Sequence, residues 1–192
     1  MNLLAIDPGP EKSAWVIIKD GVPVESGWDE NDEVLSMIVL TELDADEGFD
    51  NARFDDLVIE KVVSYGMGVG ESIFETVYWT GIFAMAFNLT FVTRIPRLDV
   101  KVALCHDAKA KKGNVNQAIK DHYDTINPVG TKKNQGPLYE FARKHGPGLT
   151  HRWDALAVGL TYLEQQKLTP NTAPSPGKVV FDYFYARSSI RN

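Results

Sequence analysis

A single cysteine, Cys105, among 192 residues leaves no partner for an internal disulfide and excludes a cysteine-built zinc site, a pattern that suits a reducing compartment. The opening Met1-Asn2-Leu3-Leu4-Ala5-Ile6-Asp7 has no basic lead and meets a carboxylate at its seventh residue, so it does not read as an export signal. The expected location is the cytoplasm. Long apolar runs are lacking too. The uncharged stretch from Thr76 to Thr93 approaches a membrane span in length, but Thr80, Gly81, Asn88 and Thr90 interrupt it, and the pattern turns strand-like at Leu89, so no membrane partner is expected. Neither a P-loop nor a dinucleotide fingerprint occurs, which leaves nucleotide-cofactor chemistry without support.

What is present is the composition of a globular protein: 44% hydrophobic, 10% aromatic and 24% charged residues. A chain of this size can bury one substantial core without staples. The net charge of −6 conceals a separation of sign. Glu25 to Glu60 carries 13 acidic residues and one basic, whereas Arg94 to Arg152 carries 12 basic and 5 acidic. A polyanion responds to the face it approaches rather than to the total, so the second segment is a candidate nucleic-acid surface.

Leu3 to Ile6 reads as a strand stopped by Asp7-Pro8-Gly9-Pro10. Ser13 to Lys19 and Val22 to Gly27, split by Asp20-Gly21, read as a hairpin. A helix over Glu30 to Leu40, an acidic loop over Asp44 to Asp55 and a strand over Leu57 to Val63 come next, then a glycine-rich loop from Ser64 to Gly70. The clearest helical periodicity runs from Glu71 to Asn88, with Ile73, Phe74, Val77, Tyr78, Gly81, Ile82, Met85, Ala86 and Leu89 on one stripe. A strand at Phe91 to Ile95 precedes short helices at Leu98 to Cys105, Asn114 to Tyr123 and Leu138 to Lys144, and a last strong helix at Arg152 to Gln166. Strands and helices in this order predict an α/β fold, a mixed five-stranded sheet with helices on both faces, over residues 1–167. Residues 168–192 form a proline-containing linker, Pro170 to Pro176, and an extension with a strand-like Val179 to Tyr185.

Four residues are placed to share one site. Asp7 and Glu60 end the first and fourth strands, which can be neighbours, and His151 and Asp154 lie three apart on one face of the last helix. Carboxylates gathered in this way suit magnesium or manganese, which take carboxylate and water ligands and the oxygens of a phosphate substrate. Two such ions about 4 Å apart can activate water on one side of a phosphorus and steady the leaving oxygen on the other.

These residues carry a family resemblance. Leu4-Ala5-Ile6-Asp7-Pro8-Gly9, Val58-Ile59-Glu60 and Asp154-Ala155-Leu156-Ala157-Val158, in this order and spacing, resemble the RuvC family of Holliday junction resolvases within the RNase H-like superfamily. Lys112-Gly113-Asn114-Val115-Asn116-Gln117 resembles the family's basic loop leading into a helix. Gly130 to Tyr139 looks more like the phage-encoded branch than the bacterial enzymes, which would make the location a host cytoplasm. The similarity spans about residues 1 to 166.

The resemblance implies an RNase H-like fold and a crossover junction endodeoxyribonuclease that cuts phosphodiester bonds in branched DNA with two magnesium ions, manganese being a plausible substitute. Asp7 would touch both ions, Glu60 and Asp154 one each, and His151 would complete the set. Many relatives carry aspartate where this chain has His151, so metal affinity here would depend on a neutral imidazole. Lys109, Lys111, Lys112, Lys120, Lys132, Lys133, Arg143 and Arg152 could track phosphates. Lys112 is the favoured member, falling where the family has a basic residue. Tyr65 or Met67 could stack on a base at the branch point.

Paired symmetric cuts imply a homodimer, which the family builds through the helix corresponding to Glu71 to Asn88. For that helix, packing on the sheet and pairing with a second copy both remain open. The extension could clamp the dimer or cover a sheet edge. A broader fork or flap nuclease of the same fold and a non-catalytic junction binder are the alternative functions.

Overall fold

The computed structural model describes residues 1–46, 54–64, 66, 68–87, 91–123, 127–143, 146 and 148–168. Five strands are formed there: β1 (Asn2–Asp7), β2 (Lys12–Lys19), β3 (Val22–Glu30), β4 (Asp56–Lys61) and β5 (Val92–Pro96). Six helices accompany them: α1 (Asn31–Asp46), α2 (Glu71–Phe87), α3 (Arg97–Cys105), α4 (Lys112–His122), α5 (Tyr139–Arg143) and α6 (Leu149–Leu168). The sheet order is β3-β2-β1-β4-β5, antiparallel from β1 to β3 and parallel through β1, β4 and β5. The mixed five-stranded sheet expected from the sequence is therefore present. The linker at Pro170 to Pro176 and the strand-like Val179 to Tyr185 lie outside the described residues.

Alternation along the central strands builds two cores. Leu3 and Ala5 of β1, Val58 of β4, and Ala14, Val16 and Ile18 of β2 face α6 and its neighbours. Leu4, Ile6, Leu57 and Ile59 face the opposite side, where Val34 and Ile38 of α1 and Phe83 and Phe87 of α2 cover them. Strands buried on both faces read as the continuous apolar runs seen at Leu3 to Ile6 and Leu57 to Ile59. α6 is buried from Arg152 to Tyr162 because it lies flat on the sheet. The contact is close: a Cβ at Gly159 would run into Ile18 Cδ1 and press on Ala5. Glycine there and alanines at 5 and 14 let the helix approach and so bring its N-terminal turns over the ends of β1 and β4.

Several boundaries differ from the sequence reading. α1 continues past Leu40 to Asp46, and β4 stops at Lys61 rather than Val63. The larger difference concerns α2. Its buried face is Thr76, Thr80, Phe83, Ala84 and Phe87, whereas Phe74, Val77, Tyr78 and Met85 are 65, 50, 60 and 67% exposed. Two threonines can face the core because each hydroxyl donates to the carbonyl four residues earlier, Thr76 to Ser72 and Thr80 to Thr76, both at 2.8 Å. The apolar stripe is thus the outer surface of the helix. Among the described residues, no helix is long and apolar enough to cross a membrane.

Candidate metal-binding active site

β1 and β4 run side by side with Ile6 opposite Ile59, so Asp7 and Glu60 leave the sheet together at its carboxyl end. The turn after Asp7 is held firmly. Ser13, fully buried, donates its hydroxyl to Asn31 Oδ1 at 2.6 Å, and Asn31 Nδ2 donates to the Gly9 carbonyl at 3.1 Å. The Gly9 amide donates to Ser13 Oγ at 3.3 Å. A Cβ at Gly9 would strike the Lys12 carbonyl, so the turn requires glycine. This small buried network fixes the chain direction after the catalytic-candidate aspartate.

From above, the first two turns of α6 lower His151 and Asp154 onto the same spot. His151 Nδ1 is 3.0 Å from Asp7 Oδ2, and ligand atoms of Asp7, His151 and Asp154 all lie within 4.8 Å of one another. His151 stacks on Trp28 of β3, the rings 6.3 Å apart and 10° from parallel, which orients the imidazole. Two carboxylates and one imidazole at this separation are a donor set that a divalent ion can draw together. The electrostatics point the same way. Burial, then repulsion from Asp154, holds the Asp7 carboxyl above its ordinary value. Burial, then repulsion from Asp7, pushes Glu60 up to about 7 against the pull of Arg97. Burial and mutual repulsion thus disfavour the charged forms of Asp7 and Glu60, a penalty that a bound cation would relieve.

Glu60 falls outside the group of three and is engaged differently. Arg97, the first residue of α3, sets Nη1 3.3 Å from Glu60 Oε1 and Nη2 3.1 Å from Asp154 Oδ1. Lys112 Nζ is 2.5 Å from Asp154 Oδ2.

Two clefts meet at Arg97, Lys112 and Asp154. One, of about 640 Å³, holds Asp7, Lys12, Trp28 and His151. The other, of about 330 Å³, holds Glu60 and a row of cations: Lys101, Lys109, Lys111 and Lys112.

Of the basic residues singled out by sequence, Lys109, Lys111 and Lys112 thus border the acids. Lys120 lies half-buried at the far end of α4, and Lys132 and Lys133 are exposed in the loop before α5, away from both clefts. Arg152 is only 7% exposed, because it turns inward from α6, so it does not offer its charge to an approaching backbone. Arg143 lies at the end of α5, its guanidinium 4.9 Å from the Tyr139 ring. Tyr65 and Met67 lie outside the described residues. Sequence reasoning missed Arg97, Lys101, Lys12 and Trp28. In sequence Arg97 is only a cation directly after Pro96; the pairing of β5 with β4 is what brings it to the acids.

The mixed five-stranded sheet with its flanking helices is an α/β fold like that of RuvC, an RNase H-like fold. Two solved structures carry that likeness: Thermus thermophilus RuvC, at a TM-score of 0.58, and T. thermophilus RuvC in complex with Holliday junction substrate, at 0.55. Each is 17% identical over 88% of this chain and 96% of its own. No protein-family model and no curated protein matches the sequence.

Proposed function

We propose that this chain is a divalent-metal-dependent, structure-selective endodeoxyribonuclease that resolves Holliday junctions by paired symmetric hydrolysis. One observation carries the reading: Asp7, His151 and Asp154 converge within ligand distance at the mouth of a cleft whose neighbour is lined by four lysines. Acids alone would repel a DNA strand, and lysines alone would bind it without cutting. Side by side, with cations among the acids, they can hold a phosphate against an activated water. Asp7, His151 and Asp154 would hold the ion, magnesium or manganese, which supplies the polarised water and neutralises the phosphate. Lys101, Lys109, Lys111 and Lys112 would grip flanking phosphates, which confers little base preference and leaves recognition to shape.

Two cuts placed symmetrically require two sites, and the exposed face of α2 suits a second copy of this chain. Phe74, Val77, Tyr78 and Met85 run along it, and Gly81 in their midst has open space where a side chain would stand, so a partner helix could approach its backbone. The resemblance of Gly130 to Tyr139 supports a phage-type enzyme at work in a host cytoplasm.

The test is incubation with labelled four-way junction, fork, flap and linear duplex, with magnesium and then with chelator. Paired nicks near the branch of the junction alone, lost on chelation, are expected. Equal cutting of forks and flaps would identify a broader branched-DNA nuclease. Junction binding with no cutting under any divalent ion would leave a binding protein and overturn the enzymatic reading.

A further inference from the structure

Arg97 stands where the acidic set leaves room for a second cation. Its guanidinium spans two carboxylates from different elements: Nη1 faces both oxygens of Glu60, at 3.3 and 3.5 Å, and Nη2 faces Asp154 Oδ1 at 3.1 Å. Glu60 comes from β4 and Asp154 from α6, so Arg97 links the two walls of the site. The side chain is held at the start of α3 directly behind Pro96, whose fixed backbone turns β5 into the helix. It also lines both clefts and its side chain is 44% exposed, so no packed wall closes over it.

Magnesium and manganese bind carboxylate oxygens at about 2.1 Å. Glu60 could therefore ligate a second ion only after its oxygens give up the guanidinium that faces both of them. An arginine cannot vacate such a place by losing its proton, because it stays charged at any physiological pH. It can leave only by moving its whole side chain. At the other ion position Asp7 and His151 face each other, 3.0 Å apart, rather than Arg97, so two of its three ligands do not have to give up the guanidinium.

Resting on the metal-dependent reading of the site, we propose that Arg97 is a built-in counter-cation that replaces the second divalent ion in the DNA-free protein. The chain then binds one ion at Asp7, His151 and Asp154, and Glu60 takes an ion only when Arg97 is gone or displaced. Arg97 is a positioning residue in this account: it holds Glu60 and Asp154 at their spacing until the site is loaded.

The test counts Mn²⁺ bound to the full chain without DNA, by the electron paramagnetic resonance signal of free Mn²⁺ during titration. Wild type should bind one ion per chain, Arg97→Gln two, and Arg97→Lys one, since lysine keeps the charge. Asp7→Asn should lose the first ion, which ties the count to this site. Retention of the first ion by Arg97→Gln shows that the variant folds. Two ions on wild type, or one on Arg97→Gln, would overturn the assignment of Arg97 while leaving the metal-dependent reading intact. No ion on wild type and Arg97→Gln alike would overturn both.

Discussion

His151 Nδ1 lies 3.0 Å from Asp7 Oδ2, joining residues 144 apart in the chain across the carboxyl end of the sheet. The pair is polarised by circumstance: Asp7 is largely buried at 12% side-chain exposure, while His151 is 54% exposed and steadied by Trp28. Asp7 is thus the fixed member and His151 the adjustable one. Asp7→Asn should lower junction cutting by roughly three orders of magnitude, several kcal/mol of transition-state stabilisation, with junction binding retained. His151→Ala should be milder. It should raise the magnesium concentration for half-maximal cutting by about tenfold or more, and His151→Asp should restore it because a carboxylate can serve as the ligand. A magnesium titration of cutting rate in the three variants checks this; an active Asp7→Asn would remove the site from consideration.

The Glu60 carboxyl offers a readout that needs no DNA. Its value in the folded protein, about 7, lies above the 4.5 of a free glutamate, with burial as the first cause and Asp7 the second. The fold therefore prefers the neutral form. Below pH 4.5 both states hold the proton and nothing is lost. As pH rises from about 4.5 to 7 the unfolded chain releases it first, and stability falls through that window, by on the order of 2–3 kcal/mol at the far end. Urea denaturation in chelator at pH 5, 6, 7 and 8 should show wild type losing stability across this range relative to Glu60→Gln. Parallel curves for the two proteins would mean that Arg97 already compensates Glu60 in full.

Asp7, Glu60, His151 and Asp154 were legible in the sequence because each sits at a recognisable boundary: a strand running into Pro-Gly, a strand running into glycines, a helix start. The strands of the mixed sheet, and the chance for the first and fourth to be neighbours, followed from the same punctuation; the strand order came from the structure. Two further things were not legible. Hydrophobicity placed the stripe of α2 without saying which way it faces, since the buried side uses Thr76 and Thr80, polar residues whose hydroxyls are satisfied inside the helix. Contacts between distant side chains left no local trace either. Arg97 is a cation after a proline until β5 and β4 pair, and Arg152 looks like its basic neighbours until α6 turns it inward. Periodicity encodes a helix's own faces; it does not encode what a neighbouring element brings to them.

The network behind Asp7 illustrates this limit and is itself testable. Ser13 and Asn31 are ordinary polar residues in sequence, yet at 0 and 2% exposure they close a hydrogen-bonded ring with the Gly9 backbone. Asn31→Ala would leave the Ser13 hydroxyl and the Gly9 carbonyl buried without these partners, a cost of about 2 kcal/mol. A lowered urea midpoint with unchanged slope is expected. Because the ring also aims Asp7, metal affinity should weaken in the same variant. Loss of stability with full metal affinity would separate the turn from the site.

Tyr78, 60% exposed near the middle of the outer face of α2, is the residue on which pairing of two chains can be tested without touching the acids. The described α2 carries charge only at Glu71 and Glu75, near its start, so two copies could meet along Phe74, Val77, Tyr78 and Met85 with little repulsion. A carboxylate placed there would be buried twice in a symmetric interface, once from each chain, opposite its own copy. Tyr78→Glu should therefore convert a dimer to a monomer in analytical ultracentrifugation at micromolar concentration, while stability changes little because the side chain is already largely in water. Cutting should change in kind rather than vanish. Each monomer keeps Asp7, His151 and Asp154, so single nicks should persist, but the two incisions on one junction would fall at independent times and leave nicked instead of resolved products. A wild type that sediments as a monomer and still resolves junctions by coordinated cuts would exclude α2 as the seam between copies.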